Sequence, residues 1–185
     1  MVLKKYRICV FGILLFFACG CSFLPWKNPD LRFDEADGKA KIIDSERLKA
    51  GGSLVVIPFR AGSGVAQTDS LEKVALTFVK GFAEAMGERK GPLRVVSPDE
   101  MANADFIFKG HVVSLTQTKG ALRWRSKAKD LQLALDGEIV DQKTGHTVFT
   151  FSDKRKVTSE SPDHRALALD MGRDTAATIL GLFNE

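Results

Sequence analysis

All three cysteines of this chain, Cys9, Cys19 and Cys21, fall within its first 21 residues. Whatever folds beyond them therefore has neither a disulfide nor a cysteine-held metal to stabilise it and must bury an apolar core of its own. The 44% hydrophobic content of the 185 residues allows one domain of ordinary size. The cysteine-bearing start is unusual in a second way: Ile8 to Ala18 carry no charge, directly after Lys4, Lys5 and Arg7. A basic start, a short apolar run and small residues beyond it form the layout of an export signal. An uncleaved anchor helix is the alternative, but spanning a bilayer takes roughly 20 apolar residues, and Gly20, Ser22, Pro25, Trp26 and Lys27 break the run too early. A cysteine-free body also suits an oxidising compartment, where an exposed thiol is a hazard.

The run Ala18-Cys19-Gly20-Cys21 resembles the lipobox of bacterial lipoproteins. The resemblance implies a leader over residues 1–20 and a lipid, such as palmitate on a glyceride, carried by Cys21. Cys19 is a second candidate, and an ordinary leader cut that leaves Cys21 a plain thiol is a third reading. In such lipoproteins the thiol is alkylated by diacylglycerol and cleavage frees an amine for a further acyl chain. Each buried methylene contributes about 0.8 kcal/mol, so several chains anchor stably where one would not. Ser22, in place of the Asp that retains enteric lipoproteins in the inner membrane, implies an outer-membrane protein facing the periplasm. Loss of Lys4, Lys5 and Arg7 lowers the net charge from +4 to +1. So small a surplus gives no support to nucleic-acid binding, which needs a basic face.

Residues 21–50 lack a sustained period and contain Pro25, Pro29 and dense charge, which predicts a tether or loose lead-in. Ile42, Ile43 and Leu48 leave a short helix there an open alternative. The globular domain is expected over 51–185. Leu54 to Phe59 read as a strand buried on both faces. Asp69 and Glu72 stand at capping-box spacing before a helix with Leu71, Val74, Phe78, Phe82 and Met86 on one face, ending near Gly87. Leu93 to Val96 form a second strand, parallel to the first by its crossover, and Phe106 to Leu115 a third. Leu131, Leu133, Leu135 and Ile139 alternate with polar residues in a fourth, and Thr147 to Phe151 return as a fifth after a turn. A helix from Ser161 to Phe183 closes the chain. The class is α/β (α+β): a single mixed sheet, β-α-β-β-β-α, with the helices on one face.

Chemistry-bearing motifs are sparse. The Ala61–Gln67 loop sits where phosphate loops sit, but Gln67 replaces the third glycine of the dinucleotide pattern and no Gly-Lys-Ser/Thr follows, so a plain connection is expected. His111, His146 and His164 lie on separate elements without ligand spacing, and His111 is expected to be a partly buried core residue. No Gly-x-Ser-x-Gly elbow occurs. The expectation is a protein without cofactor or metal, and not an enzyme. The one compositional anomaly is Lys119, Arg123, Trp124, Arg125, Lys127 and Lys129, free of acids until Asp130. It reads either as a solvated, charge-blunted hairpin tip or as a contact surface for an anion or partner with Trp124 as its anchor.

Leu54-Val55-Val56-Ile57-Pro58-Phe59, Ala104 to Gly110, and Leu131 to Asp141 running into Thr144-Gly145 give the body a resemblance to a small α/β domain of envelope lipoproteins. That domain occurs in the activators of peptidoglycan synthases, in the globular part of the curli secretion lipoprotein and in the N-terminal domain of the Tol-system propeller protein. The resemblance implies a lipid-anchored, non-catalytic domain that binds and scaffolds or regulates another envelope component. A periplasmic carrier of a lipid or small apolar ligand is the alternative, and it requires a greasy cavity. No segment has the length for the pore-forming hairpins of the curli protein.

Overall fold

A computed structural model describes residues 33–89, 91–119 and 128–183. Its elements are β1 (Phe33–Ile42), α1 (Ser45–Lys49), β2 (Gly52–Val56), β3 (Arg60–Ala61), α2 (Asp69–Glu88), β4 (Leu93–Val96), a 3₁₀ turn (Pro98–Asn103), β5 (Phe106–Lys119), β6 (Lys129–Asp141), β7 (Thr147–Ser159) and α3 (His164–Gly181). One mixed sheet runs β1-β7-β6-β5-β2-β4, with β3 added along β5. β2 is parallel to both β4 and β5, while β5, β6, β7 and β1 form an antiparallel meander. The expected class holds, with seven strands in place of five.

Two differences from the sequence reading have physical causes. Residues 33–42, assigned to the lead-in, form an edge strand; the short helix left as an alternative there is present over 45–49, capped by the Asp44 carboxylate, which accepts from Arg47 N at 2.9 Å. The strand escapes a hydropathy reading because it is held by its backbone ladder to β7, with residues 38–41 exposed. β7 itself runs eight residues past Phe151 to Ser159. Its apolar alternation stops early because Asp153 and Arg155 occupy two of the inward positions.

Helix α2 is capped one residue earlier than expected, by Thr68, whose hydroxyl oxygen accepts from Leu71 N at 3.3 Å. Both long helices cover the same sheet face. Phe78 and Phe82 of α2 and Leu167, Met171 and Ile179 of α3 meet the inward positions Leu54, Phe106, Phe108, Leu133, Leu135 and Phe149. The rings pack against one another: Phe59 and Phe78 centroids are 4.7 Å apart, Phe82 and Phe108 4.9 Å, and Phe78 stacks on Phe151 at 5.7 Å.

The helices cross with their backbones in contact. A Cβ on Gly172 would stand 2.3 Å from Phe78 O, and one on Gly81 2.3 Å from Leu169 O. Gly172→Ala is expected to lower stability by about 1–3 kcal/mol through forced separation of the helices. Gly87→Ala, on the same helix as Gly81 but with open space around it, should instead gain about 0.5–1 kcal/mol from helix propensity. Urea unfolding of the two variants checks the opposite signs.

A groove on the open sheet face

The residues that gave the body its family resemblance turn out to tie strand ends together. Asp105, just before β5, accepts from the backbone N and the hydroxyl of Ser53, both at 3.0 Å, and from Lys143 Nζ at 3.2 Å. The Ser53 hydrogen bonds, aided by Lys143, hold its carboxyl down to about 2. At the end of β6, Asp141 accepts from Lys143 N at 2.7 Å and Thr144 N at 3.1 Å, forming the turn into β7, and from the Arg47 guanidinium. Burial pushes the Asp141 carboxyl up, and these donors outweigh it, leaving it below its ordinary value. Arg47 lies 4.2 Å over the Phe106 ring and so pins α1 to the sheet.

The sites expected from sequence are placed as follows. Cys21, Arg123, Trp124, Arg125 and Lys127 lie outside the described residues. Lys119 and Lys129 end β5 and β6 directly opposite each other. His111 departs from its expected half-buried position. On β5, Phe106, Phe108 and Val112 point inward, which turns Lys109 and His111 outward, and the imidazole is 59% exposed. The 61–67 loop is a connection, closed by Ala61 N donating to Gln67 Oε1 at 3.3 Å. Among the described residues no three His, Cys, Asp or Glu side chains stand together as metal ligands, and no helix is long and apolar enough to cross a membrane.

The groove that the structure does show lies where β2 gives way to β3. Pro58 interrupts the strand, and Phe59 turns into the core, 3% exposed. Ile57 and Pro58 become an apolar wall beside the open face. The floor is the directly paired Gly110 and Gly137. A Cβ on Gly110 would meet the Phe59 ring at 2.8 Å, and one on Gly137 the Phe151 ring at 2.6 Å, so both positions require glycine. The space measures about 640 Å³ and is bordered by Arg60, Lys109, His111, Asp136, Glu138 and Thr150.

Its charges are arranged as cross-strand pairs. Lys109 Nζ lies 3.3 Å from Glu138 Oε1, and His111 Nδ1 lies 3.4 Å from Asp136 Oδ1. Thr147 donates to the other Glu138 oxygen at 2.6 Å, and this hydrogen bond, with Lys109 behind it, holds the Glu138 carboxyl below its ordinary value against burial. Asp136 Oδ1 is enclosed yet accepts no hydrogen bond. The groove thus offers both signs of charge, a hydroxyl and an apolar wall to whatever lies across the sheet. Sequence reading places Asp136 and Glu138 on a wet face and His111 in a partly buried position, and joins none of them into a site. Two basic residues two apart on one strand and two acidic residues two apart on the next were the visible signal, but their pairing depends on the register.

No protein-family model and no curated protein sequence matches the chain. Solved structures do resemble it in fold. A PelC dodecamer from Paraburkholderia phytofirmans superposes with a TM-score of 0.53 at 12% identity, covering 78% of this chain and 98% of that one. Protein XCC0632 from Xanthomonas campestris gives 0.46 at 11% identity over 72% of this chain and 84% of that one. Lipoprotein GNA1162 from Neisseria meningitidis gives 0.43 at 11% identity over 72% and 99%.

Proposed function

We propose that this chain is an outer-membrane lipoprotein, acylated at Cys21, whose periplasmic domain docks another envelope component on its open sheet face at the Lys109–Glu138 groove. The leader and the Ala18-Cys19-Gly20-Cys21 run support the anchor. The observation that carries the docking role is the contrast between the two sheet faces. On the helix side Phe59, Phe78, Phe82, Phe108 and Phe151 pack ring to ring, which leaves little room for the apolar cargo of a carrier. On the other side the groove lies open with its polar groups facing outward.

The anchor is tested by the mass of the detergent-extracted protein, expected to exceed that of the leaderless polypeptide by a diacylglyceryl and an acyl group. Cys21→Ala should move the protein from the membrane to the soluble fraction, and an unmodified sulfur in native material overturns the anchor. Docking is tested by placing a photo-cross-linking residue at Thr150, within the groove, or at Lys154, exposed on the same strand outside its lining. Capture of one envelope protein at 150, weakened about tenfold by Lys109→Glu, which sets like charges opposite Glu138, is the expected result. Equal capture at both positions, or capture indifferent to Lys109→Glu, overturns it.

A further inference from the structure

Among the described residues β1 is one outer edge of the sheet, so one of its sides faces β7 and the other faces no strand. A ten-residue strand with an open side is a template for pairing with another chain. Its sequence, Phe33-Asp34-Glu35-Ala36-Asp37-Gly38-Lys39-Ala40-Lys41-Ile42, carries its acids before Gly38 and its lysines after it. Reversed about Gly38, the strand is complementary to itself. In an antiparallel pair with a second copy centred on that glycine, Asp37 stands opposite Lys39, Glu35 opposite Lys41, and Ala36 opposite Ala40, each pair occurring twice.

From this we infer that β1 pairs antiparallel with β1 of a second copy of this chain, joining two sheets across a two-fold axis at Gly38. The occupant is a copy of the same chain because the charge pattern is matched by its own reverse, as an isologous contact requires. Lys39 and Lys41 stand in register with Ser152 and Thr150 of β7, neither of them acidic. An arriving strand supplies the acids that β7 does not. At the axis, Gly38 keeps the two backbones free of opposing side chains. With the axis along the membrane normal, both chains begin at equal height, so two anchored copies can meet this way, and confinement to one surface raises their effective concentration.

The cysteine-free body makes the test direct. Directly opposed residues in an antiparallel pair have Cα atoms about 4.5–5.5 Å apart, within the span of a disulfide. Gly38 tolerates the change, since a Cβ there meets Asp153 Oδ1 at an ordinary 3.6 Å. Full-length protein carrying Gly38→Cys, oxidised mildly in intact cells, should yield a covalent dimer of twice the chain mass that the parent does not form. Ala36→Cys in one copy and Ala40→Cys in another should yield the mixed dimer, an independent reading should position 38 disturb folding. Adding Lys39→Glu and Lys41→Glu to Gly38→Cys should reduce the dimer about tenfold through like-charge pairs. Co-expression with a Gly38→Cys chain carrying Glu35→Lys and Asp37→Lys should restore it as a mixed dimer. The inference is overturned by absence of the dimer in both cysteine designs, by a dimer indifferent to the lysine reversals, or by capture of a different protein at position 38.

Discussion

Arg155→Ala is expected to lower the stability of the domain by about 3–5 kcal/mol, the cost of leaving a buried charge without its partner. The guanidinium is 8% exposed and reaches Asp153 through Nε at 3.0 Å and Nη2 at 2.7 Å, and Asp174 of α3 through Nη1 at 2.9 Å. Asp153 is itself 7% exposed, so removing the arginine strands a carboxylate between the sheet and α3. Asp174 is 67% exposed and can turn to water, so Asp174→Ala should cost only about 0–1 kcal/mol. The double change Asp153→Leu, Arg155→Met removes both buried charges and should recover most of the loss, because apolar isosteres often replace buried pairs without penalty. Urea denaturation of the three variants checks the order, and a single Arg155→Ala loss below about 1 kcal/mol contradicts the argument.

Phe108→Ala should be comparably damaging, at about 3–5 kcal/mol. The ring is fully buried and meets Phe59 at 5.6 Å, Phe78 at 6.1 Å, Phe82 at 4.9 Å and Phe151 at 5.7 Å. Four rings belonging to two other elements and a loop cannot all close over the resulting void, so the cavity adds to the lost transfer energy. Phe108→Leu keeps most of the volume and should cost about 1.5 kcal/mol or less. The alanine variant should also loosen the groove, because Phe59 and Phe151 lie beneath its glycine floor. Thermal melts give the first effect, and the capture yield at position 150 gives the second.

The elements legible in the sequence were those whose partners lie on a single apolar face. Leu71 to Met86 announced α2, and Leu131 to Ile139 announced β6, because burial there follows the period of the element itself. β1 was illegible for the opposite reason: an edge strand held by backbone hydrogen bonds needs no apolar pattern. The second half of β7 was hidden by Asp153 and Arg155, since an inward ion pair looks like an outward one until the partner on α3 is known. His111 was misplaced although Lys109, two residues before it, marked the outward face. The groove lay further from view, because it depends on the break at Pro58 and on the register that sets Gly110 against Gly137. The segments that carry the resemblance are visible as patterns, but Asp105 and Asp141 within them serve as fasteners of strand ends.

The order of the sheet sets the first strand of the domain beside the last, with Phe33 in register with Val157. A chain threaded across a membrane N-terminus first delivers β1 long before residues 147–159 exist to receive it. Until then its amides stay with water or a holding chaperone, and closing so long a loop is a slow, late event on the folding path. The acids and lysines of 34–41 suit a segment that waits in water, and the domain is expected to mature from its central strands outward, with its N-terminal strand seated last.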